Sequence, residues 1–518
     1  MAANSAIASK RRMLLPLALT QFVASFAGSN MNVAINSISK DLDTTVHGVQ
    51  TAITLFLLCM AALMIPGSKL TDLWGRKRCL LGGLTAYGAG AVIAALAPGL
   101  GILILGYSAF EGVGSALMIP PVYILATMAF SDMQSRARAF GAISGAGGIG
   151  AATGPLIGGL ITTTISWRAS FVLQATVVAS IIVLTRRLTD PVAPDPTRRF
   201  DATGAVLSAA GMIFLVTGIL QAGDNGVLLA VLLGVGAAFL LWFFLHIRAE
   251  ESAGKEPLLS LALFRSRTSN LGLVTQNIQW LVLMGITFTV SVFLQTERGF
   301  SAIKTGVIFT AATVGVLVSS LAAERLAKKH EQRTLIRAGF VVTVAGVGLL
   351  LALVTASSHV LAFVPGLLLI GLGVGVMLTP SVNVVQSSFP EDKQGEISGL
   401  SRSVSNLGSS LGTAIAGTIL VSDLASGNRS YVLAMISLAG FALIGLVAAL
   451  LLPAGTGQQP GTPVEPAAPE SLVRPSVRRV RARPGPPATG GGRGAGRGGP
   501  PPPPARPTGG PRGRGSSG

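Results

Sequence analysis

Cysteine occurs only twice in the 518 residues, at Cys59 and Cys79, and no partner spacing surrounds either, which excludes a disulfide framework or a thiolate metal centre. Histidine is nearly as scarce. His47, His246, His330 and His359 are scattered at loops and at the ends of apolar runs, so they form neither a ligand cluster nor a base beside a nucleophile. No GxxxxGK[ST] loop is present to bind a nucleotide, and there is no nucleophile elbow or paired carboxylate constellation. Enzyme chemistry, a metal and a cofactor are therefore not expected. Charge is sparse as well: Asp, Glu, Lys and Arg make up 12% of the chain against 50% hydrophobic residues, and mean hydropathy is +0.64. That balance excludes an ordinary water-soluble fold and points to a chain dissolved in lipid.

What is present is a series of apolar runs of about 20 residues, each long enough to cross a hydrocarbon core about 30 Å thick at a rise of about 1.5 Å per residue. The runs are continuous rather than alternating, which favours helices over barrel strands. They place spans at about 13–38, 49–70, 80–98, 101–129, 139–163, 168–187, 203–222, 226–247, 270–295, 302–322, 335–355, 361–386, 396–421 and 431–452. The expected fold is all-α and polytopic with fourteen crossings.

Loop charges orient the chain. One set of loops carries Arg76, Lys77 and Arg78; Arg136 and Arg138; Arg198 and Arg199; Arg265 and Arg267; and Arg325, Lys328, Lys329, Arg333 and Arg337. The alternate loops carry only Lys40, Arg168, Arg298 with Lys304, and Arg429. By the positive-inside rule the first set faces the cytoplasm, together with both termini, in a plasma membrane. The formal charge of +18 does not signal a nucleic-acid partner, because ten Arg and two Glu after Gly455 supply +8 of it. That Pro-, Gly- and Arg-rich stretch has too few apolar residues to fold and reads as a disordered cytoplasmic extension, with RGRG and GGRG runs suited to RNA or anionic lipid.

A weak repeat runs through the chain. FSDMQSRARAFG at Phe130–Gly141 is echoed by FPEDKQGEISG at Phe389–Gly399, each leading into a Gly-rich span. The loops GSKLTDLWGRKR and AAERLAKKHEQR, after the second and tenth spans, both set an acid ahead of basic residues. Duplicated halves holding a substrate between them near the midplane are a transporter design. The expected organisation is a short terminus (1–12), a six-helix bundle (13–187), a linker with two extra spans (188–269), a second six-helix bundle (270–453) and the tail (454–518).

The loop from Gly67 to Arg78 closely resembles the G-x-L-x-D-x-x-G-R-[RK] signature of the major facilitator superfamily. The resemblance implies a conformational latch between the halves, carried by Gly67, Asp72, Gly75, Arg76 and Lys77. In the fifth span, Gly154, Pro155, Gly158 and Gly159 match the G-P-x-x-G-G string of the antiporter branches, and Gly150 extends its small-residue spacing. SWRASFVLQ (166–174), RRFDATGAVL (198–207), GLGVGVMLTP (371–380) and Asn406-Leu407-Gly408 are similar to the fourteen-span drug:proton antiporters. The chain departs from that branch at Ala27, where it usually has Asp, and at Ser108, where it usually has Arg.

The resemblance implies a secondary exporter of drugs or small amphipathic metabolites in exchange for protons, expected to be a monomer whose partners are substrate, protons and membrane lipid. A metabolite facilitator or importer, and a membrane receptor or scaffold acting through its Arg-rich tail, remain as alternatives. Glu111, near the middle of the fourth span and costly at that depth, is the expected proton-coupling carboxylate. Asn30, Asn32, Gln276 and Gln279 are candidates for a substrate cavity.

Overall fold

The computed structural model describes residues 2–130, 133–186, 200–221, 225–327, 329–356, 359–390, 393–421 and 428–453. Arg198, Arg199, Lys328 and the tail lie outside the described residues. Among those described there is no strand. The first part of the chain folds as α1 (Ala2–Asn30), α2 (Ile35–Asp41), α3 (Val46–Trp74), α4 (Arg76–Ala95), α5 (Leu100–Leu103), α6 (Gly112–Ala129), α7 (Met133–Thr164) and α8 (Trp167–Arg186). Two helices follow, α9 (Ala202–Leu220) and α10 (Gly226–Ser252). The last part comprises α11 (Arg267–Val292), α12 (Ala302–Ala327), α13 (Gln332–Ala356), α14 (Phe363–Gln386), α15 (Gln394–Val421) and α16 (Asn428–Leu450).

Among the described residues, eleven helical segments are long and apolar enough to cross a membrane: α3, α4, the run through α5 and α6, α8 to α14, and α16. Helices α1, α7 and α15 are not among these eleven, although they run to 29, 32 and 28 residues. Several starts are fixed by side-chain caps that take up otherwise orphaned N–H groups. Thr45 accepts from Gly48 at 3.1 Å, Asp201 from Gly204 at 2.7 Å, Asn225 from Leu228 at 3.0 Å and Ser266 from Ser269 at 3.2 Å.

Two spans differ from their sequence reading. The first is not one helix over 13–38: α1 stops at Asn30, a 3-10 turn covers Met31–Val33, and α2 restarts at Ile35. The break coincides with capture of the Asn32 carbonyl by the side chains of Ser291 and Gln295. The fourth span is interrupted by a wider π-helical stretch over Ile104–Glu111. There Gly106 and Gly90 let two backbones meet, since a Cβ on Gly106 would lie 2.6 Å from the Ala94 nitrogen.

Packing falls into two matching sets. α1 packs on α7 and α8, α3 on α6, and α4 on α6 and α8; correspondingly α11 packs on α15 and α16, α12 on α14, and α13 on α14 and α16. The two sets meet along two helix pairs that are themselves equivalent, α3 with α15 and α7 with α12. This seam between the sets carries the residues of interest. Helix α9 packs on both α3 and α15, and α10 packs on α9.

Candidate functional site

The glycines of α7 are used on both sides of the helix. Gly150, Gly154 and Gly158 face α1, where a Cβ would collide with the Phe22 carbonyl, Ser29 Oγ and Asn30 Oδ1 respectively. Gly159 faces α12: a Cβ there would lie 2.5 Å from the Ala302 carbonyl oxygen, and Gly306 on α12 presses in turn on the Pro155 carbonyl. Small residues allow backbones to approach this closely. Pro155 interrupts the ladder of backbone bonds where the α12 contact forms. The string that reads as an antiporter signature is thus seated at once on its own half and on the opposite one.

The loop signature lies at the end of the bundle rich in basic residues. Gly75 has φ 92° and ψ 145°, left-handed territory that favours glycine, and there the chain turns from α3 into α4. Gly67 lets α3 press against the α6 backbone at Ala116. Asp72 pairs with Arg76 at 3.2 Å across one helical turn. Lys77 donates to the carbonyl of Arg186 at 2.9 Å, tying the turn to the end of α8. Lys69 of this loop crosses the seam: its Nζ lies 2.7 Å from Glu396 Oε1 on α15. Glu396 also accepts from the Ser260 N–H at 3.4 Å, and Lys393 donates to Ser260 Oγ at 3.2 Å. The segment joining α10 to α11 thereby covers the pair. Its Leu258, Leu259 and Leu263 are buried with Ile65, Ile397 and Leu400.

Glu111 is fully buried, and the Tyr87 hydroxyl is a polar group that interacts with its carboxyl. It shares its surroundings with the hydroxyls of Tyr87 and Tyr107, both also fully buried. The Tyr87 hydroxyl donates to Gln174 Oε1 at 2.5 Å, which brings α8 into the cluster. Glu111 thus belongs to a polar pocket inside the first six-helix set, against α4 and α8, rather than to the seam. Ser108, standing where the resembled branch has Arg, donates to the Ala52 carbonyl at 2.7 Å.

The four cavity candidates are spread out. Asn30 packs on Gly158. Asn32 gives its carbonyl to Ser291 and Gln295, at 2.9 Å for the latter. Gln276 is committed to α15, donating to Ser405 at 2.8 Å and accepting from Ser401 at 2.9 Å. Gln279 is buried with neither end of its amide partnered among the described residues.

Sequence reasoning missed the polar contacts that join the halves. Gln50 donates to the Ala414 carbonyl at 3.2 Å, Ser403 to that of Ala61 at 2.5 Å and Ser410 to that of Thr54 at 3.0 Å. Arg402 on α15 donates to the Tyr123 hydroxyl on α6 and stacks 4.6 Å above its ring, and Tyr123 donates to Gln21 on α1 at 3.3 Å. The missed signal was a lone basic residue six positions inside the span read at 396–421.

The paired packing, the seam and the loop signature converge with a direct comparison: the sequence model of the Major Facilitator Superfamily matches residues 17–413, and again 272–486. The chain belongs to the Major Facilitator Superfamily. Among curated members, it is 28% identical over 411 residues to the puromycin resistance protein pur8 of Streptomyces alboniger, covering 78% of this chain and 81% of that one. It is also 28% identical to the multidrug resistance protein Stp of Mycobacterium tuberculosis over 76% of this chain and 73% of the other. A similar match, at 28%, joins it to the multidrug efflux pump LfrA of Mycolicibacterium smegmatis. The crystal structure of a peptide transporter, POT, in complex with sulfate superposes with a TM-score of 0.63 at 16% identity, over 85% of this chain and 93% of that one, and shows the shared fold. A superfamily chain is a multi-pass membrane transporter.

Proposed function

We propose that this protein exports drugs or small amphipathic metabolites in exchange for protons, crossing the membrane fourteen times with both termini and the basic loops in the cytoplasm. The observation that carries the reading is the seating of the Gly-Pro-x-x-Gly-Gly string of α7 on both α1 and α12. A helix without side chains on two faces can shift against both partners without unlocking interdigitated groups. The relatives named for resistance and efflux support export over uptake. The alternation of basic and nearly uncharged loops supports the orientation.

Proton exchange rests on Glu111. An ionised carboxylate with so few polar neighbours is expensive at this depth, so a transport cycle that uses it must change its proton or its partners. Tyr87, Tyr107 and Gln174 are the groups within its pocket that can reorient to do so.

The test is accumulation of a panel of fluorescent amphipathic compounds in cells expressing the protein, with and without an ionophore that collapses the proton gradient. Lower accumulation that the ionophore abolishes is expected. Higher accumulation in expressing cells would replace export with uptake. Reporter fusions after Gly223 and Pro453 are expected outside and inside respectively; an inverted result at either would break the fourteen-span topology.

A further inference from the structure

Arg402 is set well inside its helix, α15. It lies eight positions beyond Gln394 on α15, roughly 12 Å along the axis at 1.5 Å per residue. A guanidinium at such depth is costly and is ordinarily held by a carboxylate. Here no ion pair reaches it among the described residues: Glu396 on the same helix is taken by Lys69, and the interior acid Glu111 lies in the pocket of Tyr87 and Tyr107. Its partner is a neutral group, the Tyr123 hydroxyl, with the ring of the same residue beneath the cation. One N–H is used in that bond. The others have no protein acceptor among the described residues, although guanidinium presents its donors in a planar fork matched to two-oxygen anions.

The position is also accessible. Arg402 and Tyr123 are only partly buried, and so is Asn406, one turn further along the same face of α15, which makes no hydrogen bond among the described residues. The contact joins α15 of one helix set to α6 and, through Gln21, to α1 of the other. It therefore lies on the seam, between the two bodies that must move for a superfamily transporter to work.

We propose that Arg402 is the docking point for an anionic group, a carboxylate or an ionised acidic hydroxyl, on the transported molecule. The anion takes the donors that Tyr123 leaves free and competes with its hydroxyl for the rest, so cargo binding and release of the α15–α6 contact are one event. The aromatic ring beside the cation suits an amphipathic acid. The inference rests on the export reading for the direction of movement only.

The experiment uses the purified full chain in detergent and in proteoliposomes, with pyrenebutyrate and its methyl ester as probes that differ in one charge. Native protein is expected to bind the acid about tenfold more tightly than the ester, the scale of a charge-assisted bidentate contact. Arg402→Gln is expected to reduce that preference to within about twofold with ester affinity unchanged, and Arg402→Lys to keep part of it. Equal binding of acid and ester to the native protein overturns the proposal without recourse to a variant. So does binding of neither probe, or an equal loss of both in Arg402→Gln, which would make the residue a strut. Gradient-driven movement of the ester without an Arg402-dependent preference removes the anion site and leaves export standing. Arg402-dependent binding with no movement of either probe keeps the site and removes export.

Discussion

Lys69 and Glu396 lie 327 positions apart in the chain and meet at 2.7 Å across the seam. The signature loop of one half is thereby joined to the opposite half through a residue that the family pattern leaves unspecified. Both side chains are about a quarter exposed, 22% and 25%, so the pair is worth roughly 1 kcal/mol or less. That is enough to shift a two-state equilibrium about two- to fivefold. Lys69→Ala and Glu396→Gln are each expected to change transport rate by that order at equal expression. The charge-reversed pair Lys69→Glu with Glu396→Lys is expected to restore it. Wild-type rates in both single variants would end the latch role.

The α7 contacts differ in how readily they give way. A Cβ at Gly158 meets the end of the Asn30 side chain, which can rotate, whereas one at Gly159 meets the Ala302 backbone carbonyl, which cannot. Gly159→Ala is expected to lower thermal stability by about 1–3 kcal/mol and Gly158→Ala by less. Gly148→Ala, where nothing lies within 4 Å, is expected to be neutral or slightly stabilising. Equal melting temperatures for Gly148→Ala and Gly159→Ala would show that α12 does not press on this face.

Glu111→Gln keeps the shape and polarity of the side chain and removes its proton. The variant is expected to insert normally and to lose uphill efflux driven by a pH gradient, while downhill movement survives. Efflux in the variant that still tracks the pH gradient at the native rate would leave Glu111 a purely structural residue of the Tyr87–Tyr107 pocket.

Asp201 caps α9 and also accepts from His246 at 2.9 Å and from the Leu258 N–H at 3.1 Å. Burial pushes its carboxyl up, but the bonds from Gly204, His246 and Leu258 together hold it below the usual range. A carboxyl depressed in the folded state contributes stability that is present above its unfolded value near 3.9 and lost as pH falls through the lower folded value. Asp201→Ala is expected to cost about 1–2 kcal/mol at pH 7 and to flatten the loss of stability that native protein shows below about pH 4. An unchanged acid profile in the variant would remove this role.

The all-helical architecture was legible in the chain because lipid imposes it through apolar length, a constraint that acts locally, and the signature strings pointed to the family. The break after Asn30 was not legible, because its cause is a pair of side chains, Ser291 and Gln295, some 260 positions away. The same holds for Lys69 with Glu396 and for Gln50 with Ala414. The setting of Glu111 depends on Tyr87 and Gln174 from other helices, so its depth could be read and its neighbours could not. Arg402 could have been found, since it is the one basic residue between Lys393 and Arg429.

The inserted pair makes the two flanks of the seam unequal. Helix α9 lies on the flank formed by α3 and α15, while on the other flank Ile149, Leu156 and Leu160 of α7 and Val307, Val314 and Val318 of α12 are exposed on the surface. The molecule consequently has a front and a back. A greasy compound dissolved in the bilayer would meet the α3–α15 pair behind α9 and the α7–α12 pair bare, an asymmetry that a bundle without the extra helices would not have.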